Sequence, residues 1–194
     1  MKFYLLDTLA DCGEGDYCFT DEEPEGIGFS TYQLSDGIPL AANYPKDPLE
    51  VSLQLGEDCL GLKLPSLIGN TSGLLIVHKE VAEVILKHQA GEIEVLPFTL
   101  YNHKKRVHSK DYVFVNPLGA LDCLNYALTV MDRARSGKIL EIEKFVLDKE
   151  KVNIFPDLFR PKDLPDNYIF SERLVETIKS REFTNFFFNE IEQG

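Results

Sequence analysis

The sequence predicts an α+β fold with a mixed or mainly antiparallel sheet and a few short helices. Two observations carry this prediction: the strand-like segments are scattered along the chain, and only two clear helical segments lie between them. The length of 194 residues suits a single domain, 1–194, or two packed lobes, about 1–110 and 111–194. With 44% apolar residues, such a chain can bury a core without disulfides or metals.

The first part of the chain is predicted to form short strands separated by turns. Residues 2–6 form an apolar strand, residues 11–26 a loop rich in glycine and acids, and residues 28–34 a short strand. Asp-Gly-Ile-Pro at residues 36–39 is a turn signal, and further prolines keep the following stretch irregular. Residues 49–55 alternate apolar and polar side chains, which predicts a half-buried strand.

A strand–helix–strand unit follows. Residues 74–77 are an apolar strand, and residues 79–89 have the apolar spacing of a helix, with Glu83 and Lys87 as an exposed i,i+4 pair. Residues 93–100 form a strand that Pro97 interrupts or confines to a sheet edge.

A second strand–helix–strand order occurs near the carboxyl end. Residues 168–170 form a strand, Ser171 is a good N-cap, and residues 172–180 form the helix before the apolar run 183–188. The identities between the two units are few, namely Ile76 with Ile169, Glu83 with Glu176 and Ile85 with Ile178. A duplicated unit and two independent units of similar periodicity are both open interpretations.

Between the units, Tyr112–Leu124 is the most distinctive stretch. It predicts a buried strand, a corner at Asn116-Pro117 and a return to the core, with Val113, Val115 and Leu118 buried. A helix or irregular turn is expected over residues 124–135, and a strand over 138–147.

The net charge is −12, and it is unevenly distributed. Residues 1–75 contain 13 acids and 3 bases, which gives −10. This distribution argues against nucleic acid or an anionic membrane as a partner, because phosphate contacts need Lys and Arg. A basic protein partner is compatible with it.

The densest acidic segment is residues 14–25, with six acids and no base. Such a segment is either a solvated loop that aids solubility or a face for a basic partner, which speeds association by electrostatic steering. Tyr17 and Phe19 would be its apolar anchors. The predicted partner-binding residues are Glu14, Asp16, Tyr17, Phe19, Asp21, Glu22, Glu23 and Glu25.

No cofactor or metal is expected. The cysteines Cys12, Cys18, Cys59 and Cys123 lack metal-site spacing and are interpreted as reduced thiols of a cytoplasmic protein. No export signal or membrane-spanning segment is expected from the sequence.

No catalytic motif is recognisable, and we expect a protein that is not an enzyme. The basic cluster His103–His108 is interpreted as a solvated hairpin loop, with a docking site for an acidic group as the alternative. Asp122 is interpreted as a cap that accepts backbone hydrogen bonds. The competing hypothesis is an enzyme centred on Asp122 or on a Cys–His pair.

The chain resembles a family of bacterial immunity proteins of polymorphic toxin systems, first catalogued as a domain of unknown function and typified by a myxobacterial protein. The resemblance covers about residues 35–190 and leaves the acidic segment outside. It rests mainly on Val115-Asn116-Pro117-Leu118, on residues 121–124 (Leu-Asp-Cys-Leu) and on residues 168–174 (Tyr-Ile-Phe-Ser-Glu-Arg-Leu).

The resemblance implies a protein that binds and neutralises a cognate toxin in competition between bacteria. Toxins of such systems are often nucleases with basic surfaces, which would suit an acidic inhibitor. An oligomeric adaptor or scaffold remains a further alternative, and the sequence predicts no oligomeric state.

Overall fold

A computed structural model describes residues 1–10, 16–56, 61, 63–88, 91–135 and 139–194. It confirms the predicted α+β class, with short helices and sheets that are mostly antiparallel or mixed. The helices of this part of the chain are α1 (Tyr32–Ser35), α2 (Lys79–His88), α3 (Lys149–Val152) and α4 (Glu172–Ser180).

The strands are short and belong to several small sheets. They are β1 (Phe3–Leu6), β2 (Phe19–Thr20), β3 (Ser52–Gln54), β4 (Gly69–Asn70), β5 (Ile76–His78), β6 (Ile93–Pro97), β7 (Thr99–Tyr101), β8 (Val107–Ser109), β9 (Tyr112–Pro117), β10 (Val130–Arg133), β11 (Ile139–Lys144), β12 (Val146–Leu147), β13 (Leu158–Phe159), β14 (Ile169–Ser171) and β15 (Phe188–Gln193).

The two predicted strand–helix–strand units share one arrangement. In the order β5-β9-β6, strand β9 lies between the two strands that flank α2 and runs antiparallel to both. In the order β12-β15-β1-β14-β13, strand β1 lies in the same way between the two strands that flank α4. The two units are therefore alike in shape, although the inserted strand comes from a different place in the chain.

Strand β9 explains the Tyr112–Leu124 signature. Val113 and Val115 pack into the core beneath α2 and α4, whereas Tyr112 and Phe114 pack into a second core on the other face. A strand buried on both faces needs a continuous apolar run rather than an alternating one. The predicted burial of Val113 and Val115 is confirmed, and Leu118 is only half-buried.

The predicted corner at Asn116-Pro117 is wrong. Both residues lie inside β9, where they pair with Glu94 and Ile93 at the end of the strand. The chain turns later, at Gly119, whose φ of 74° is readily adopted by glycine.

One predicted strand is not observed. Residues 28–34, predicted as a strand, contain bends and the start of α1, because the Gln33 and Leu34 N–H groups donate to the Ser30 and Thr31 carbonyls. The predicted interruption at Pro97 is confirmed, since Pro97 ends β6 and the chain continues as β7 in another sheet.

Several further predictions are confirmed. Helices α2 and α4 lie where the apolar spacing placed them, and the Ser171 hydroxyl accepts a hydrogen bond from the Leu174 N–H at the start of α4. Val51, Leu53 and Leu55 are buried around β3, as the alternation predicts, whereas Leu49 is exposed.

Candidate functional site

The acidic segment, residues 14–25, carries the predicted partner-binding residues. Glu14 lies outside the described residues. Asp16 is exposed, and its carboxylate accepts a hydrogen bond at 2.9 Å from the Lys63 ammonium. The Lys63 N–H also donates to the Asp16 carbonyl, and the Cys18 N–H donates to the Lys63 carbonyl. These bonds hold the start of the segment against residue 63.

The two predicted aromatic anchors are not free surface groups. Tyr17 is half-buried, and Phe19 is only 4% exposed because β2 pairs with β4 and places its side chain inside. Phe19 is therefore a core residue, which corrects its predicted role as a surface anchor. Sequence reasoning missed a better candidate, Tyr32, whose side chain is 65% exposed at the start of α1.

The remaining acids of the segment, Asp21, Glu22, Glu23 and Glu25, are all exposed. Glu23 accepts a hydrogen bond at 2.8 Å from the Thr31 hydroxyl, next to Tyr32 in the chain. The backbone of Glu25 exchanges two hydrogen bonds with Ser52, at 2.8 and 3.0 Å. The backbone that carries these acids is therefore hydrogen-bonded to β3 at Glu25.

Gly26 permits this close approach. Its φ is 81°, and a Cβ atom at this position would lie 1.9 Å from the Glu50 carbonyl oxygen. Any larger residue would push the segment away from residues 50–52, so the glycine helps to place Glu25.

Glu22, Glu23 and Glu25 line a surface cleft of about 480 Å³. The middle of the cleft is formed by Ser52, Gln54 and Tyr101, from the parallel pair β3 and β7. His103 and Lys105 line it as well. One cleft thus contains acidic groups from one segment and basic groups from another.

The basic residues come from the β7–β8 hairpin, whose antiparallel pairing confirms the predicted loop between two strands. The Asn102 carboxamide oxygen accepts hydrogen bonds from the Lys104 and Arg106 N–H groups and holds the loop in a defined shape. Asn102 also accepts one from Gln54 of β3 through its carbonyl, so the loop is tied to the middle of the cleft.

Asp122 does not lie in the apolar setting that the enzyme hypothesis needs. Its side chain is exposed and accepts hydrogen bonds from the Lys151 ammonium at 3.1 Å and from the Tyr126 hydroxyl at 3.3 Å. The predicted backbone cap is likewise replaced by these side-chain contacts. The hydrogen bond from Tyr126 to Asp163, together with the nearby acids, raises the pKa of Tyr126.

Two cysteines lie within the described residues, and both are buried. Burial raises the pKa of Cys123 to about 12, and it also raises the pKa of Cys18, whose thiol donates to the Gly61 carbonyl. A nucleophilic cysteine needs the opposite shift. Cys12 and Cys59 lie outside the described residues.

We therefore expect Cys123 to resist alkylation in the folded protein. Iodoacetamide at pH 8 should leave the peptide containing Cys123 unmodified, because only the thiolate reacts and the buried thiol holds its proton. Peptide mass spectrometry before and after unfolding in urea measures this. Rapid modification of Cys123 without unfolding would contradict the structural role of this thiol.

A polar cluster that the sequence did not predict centres on Asp157, whose side chain is buried. Its carboxylate accepts hydrogen bonds from the Ser171 hydroxyl at 2.5 Å and from the Arg173 guanidinium at 2.8 and 3.2 Å. The His88 ring lies 3.7 Å from it and 3.1 Å from the Thr177 hydroxyl. The cluster joins the end of α2 to the start of α4, and its groups face one another rather than a cleft.

Arg160 is the second unpredicted polar centre, and its side chain is fully buried. Its guanidinium donates to the carbonyls of Leu34, Ser35, Pro117 and Pro165 and stacks over the Tyr168 ring at 4.4 Å. These partners lie up to 126 residues away in the chain. Nothing in the local sequence around Arg160 could reveal them.

The described residues contain no group of three or more His, Cys, Asp or Glu side chains arranged to hold a metal ion. Among them, too, no helix has the length and apolar character that crossing a bilayer requires.

Fold and site together define an α+β protein in which acidic and basic side chains line one surface cleft. The chain belongs to the Immunity protein family (Imm11), which matches residues 20–193. This match confirms the resemblance to bacterial immunity proteins. It also corrects the expected span, because Asp21, Glu22, Glu23 and Glu25 lie inside the matched region. No curated protein matches the chain.

Proposed function

We propose that this immunity protein is a non-enzymatic inhibitor that binds its cognate toxin through the acidic segment and covers the toxin's active site. The toxin would be a nuclease with a basic surface. The observation that carries this proposal is the exposed row of Glu22, Glu23 and Glu25 along a cleft, within the region that matches the family.

Charge and shape both support this assignment. The acids are exposed, and the hydrogen bonds of Glu25 with Ser52 hold their backbone in place before any partner arrives. A fixed acidic surface accelerates encounter with a basic protein and disfavours acidic competitors. The preformed backbone also lowers the entropy that is lost on binding.

Tyr32 supplies the exposed aromatic group that the sequence assigned to Phe19. It is exposed and follows Thr31, whose hydroxyl donates to Glu23, so its backbone lies one residue from a group bound to the acidic segment. Aromatic side chains next to charged groups are frequent centres of binding energy in protein interfaces. The proposed contact surface therefore contains Asp16, Tyr17, Asp21, Glu22, Glu23, Glu25 and Tyr32, with Glu14 retained from the sequence prediction.

Reversal of three charges tests the proposal. The probe is the C-terminal domain of the protein encoded immediately upstream, where we expect the toxin gene. The triple variant Glu22→Lys, Glu23→Lys, Glu25→Lys should associate with it about tenfold more slowly or worse at low ionic strength, and the difference should shrink in ~0.5 M salt. Stopped-flow or surface plasmon resonance kinetics measure this.

A control variant separates a local effect from that of net charge. Glu143, Glu176 and Glu182 are exposed and make no ion pair within the described residues. Reversing them to Lys changes the net charge by the same amount on other parts of the surface. Equal slowing of both variants would reject the acidic segment as the contact surface, and no binding by the unaltered protein would reject the proposed function.

A further inference from the structure

The cleft has a second wall of opposite charge. Glu25 pairs with β3, β3 pairs with β7, and β7 pairs with β8, so the acids and the hairpin loop stand on opposite sides of the sheet segment. His103 and Lys105 line the cleft from that loop. This basic wall is independent of the acidic segment, because its residues lie in the β7–β8 loop and not in residues 14–25.

These opposite charges are not directly paired. Within the described residues, no ion pair within 4.0 Å involves Glu22, Glu25 or Lys105. The backbone on both sides is held in place, since Glu25 is hydrogen-bonded to Ser52 and the loop is hydrogen-bonded to Asn102. A cleft that holds separated charges in place is preorganised for a partner with the reverse pattern.

We propose that the cleft receives a segment of the cognate toxin that carries both signs of charge, with a Lys or Arg facing the glutamates and an Asp or Glu facing Lys105. This inference rests on the proposed function and specifies the chemistry of the partner at the same site. The hydroxyls of Tyr101 and Ser52 and the carboxamide oxygen of Gln54, which line the same cleft, can hydrogen-bond the backbone of that segment.

The basic wall adds selectivity to the acidic one. A uniformly acidic surface attracts any basic protein, whereas Lys105 repels a segment whose charges are all positive. Only a toxin with a carboxylate at the matching position can form favourable charge pairs with the glutamates and with Lys105 at once. This requirement would distinguish the cognate toxin from other basic toxins.

The substitution Lys105→Glu tests this inference, because the two interpretations predict effects of opposite sign. With a two-signed cleft, the variant should bind the upstream-encoded toxin domain roughly tenfold more weakly, mainly through faster dissociation. With a surface that acts through negative charge alone, removing a positive charge should make binding to a basic toxin tighter.

Lys104→Glu is the matched control. Lys104 is exposed on the same loop but does not line the cleft, so the same charge change there should alter affinity by less than about twofold. Isothermal titration calorimetry with the unaltered protein and both variants, each checked by thermal unfolding, gives the result.

Tighter binding by Lys105→Glu, or equal effects of the two substitutions, would overturn the two-signed cleft and leave the proposed function standing. Absence of binding by the unaltered protein would instead overturn the proposed function, and this inference with it.

Discussion

Replacing Arg160 with alanine is expected to lower the free energy of unfolding by about 3–5 kcal/mol. The guanidinium is fully buried and donates to four backbone carbonyls, two of them in α1 and one at the end of β9. Its removal leaves these carbonyls without their donor and opens a cavity beside the Tyr168 ring.

Urea unfolding followed by circular dichroism measures the loss, which corresponds to a fall in melting temperature of roughly 6–20 °C. Arg160→Met keeps much of the side-chain volume, so the difference between the methionine and alanine variants isolates the cavity. Arg135→Ala is the control, because Arg135 is exposed, and it should stay within about 0.5 kcal/mol of the unaltered protein. An unchanged unfolding midpoint for Arg160→Ala would show that its hydrogen bonds do not stabilise the fold.

The effect should reach the cleft. Arg160 holds the Leu34 and Ser35 carbonyls, which belong to the same short helix as Tyr32. Loosening α1 would therefore disturb the exposed aromatic group and the neighbouring hydrogen bond from Thr31 to Glu23. In Arg160→Met, hydrogen exchange of the α1 amides is expected to speed up, relative to the unaltered protein, by a larger factor than that of the β9 amides.

The second large effect is expected for Asp157→Ala, at about 2–4 kcal/mol. The carboxylate is only 4% exposed, and it accepts from the Ser171 hydroxyl and from Arg173. It also lies at the start of α4, where a negative charge is favoured by the helix dipole. Alanine would leave a buried hydroxyl without its acceptor and remove the ionic contact.

Chemical unfolding of three variants separates these contributions. Asp157→Asn preserves the shape and one acceptor, so it should lose less stability than the alanine variant. The difference between the unaltered protein and Asp157→Asn reports on the charge, and the difference between the two variants reports on the shape and the remaining acceptor. Asp132→Ala, at an exposed position of β10, should have little effect. If Asp157→Asn and Asp157→Ala were both as stable as the unaltered protein, the cluster would have no role in holding α4.

Sequence reasoning succeeded where the information is local. Helices α2 and α4 could be predicted from apolar residues that recur every three or four positions. The cap of α4 is local as well, because the Ser171 hydroxyl accepts from the N–H of Leu174, three residues further along the chain. Strand β9 could be predicted because burial on both faces leaves a continuous apolar run.

It failed where distant segments decide the outcome. Phe19 looks like a surface anchor among acids, and only the pairing of β2 with β4 makes it a core residue. The partners of Arg160 lie as far as 126 residues away, and no local pattern encodes them. The acidic residues could be recognised from the sequence alone. The position of the basic wall beside them could not, because it depends on the parallel pairing of β3 with β7.

The position of β1 in its sheet limits how early that sheet can form during synthesis. Its residues, 3–6, are synthesised long before both of their neighbours in the sheet, which lie within residues 169–193. At about 5–20 residues per second, roughly ten to thirty seconds of synthesis separate β1 from its partners. The strand is without these partners throughout that interval, so the sheet beneath α4 forms only after residues 188–191 have been synthesised.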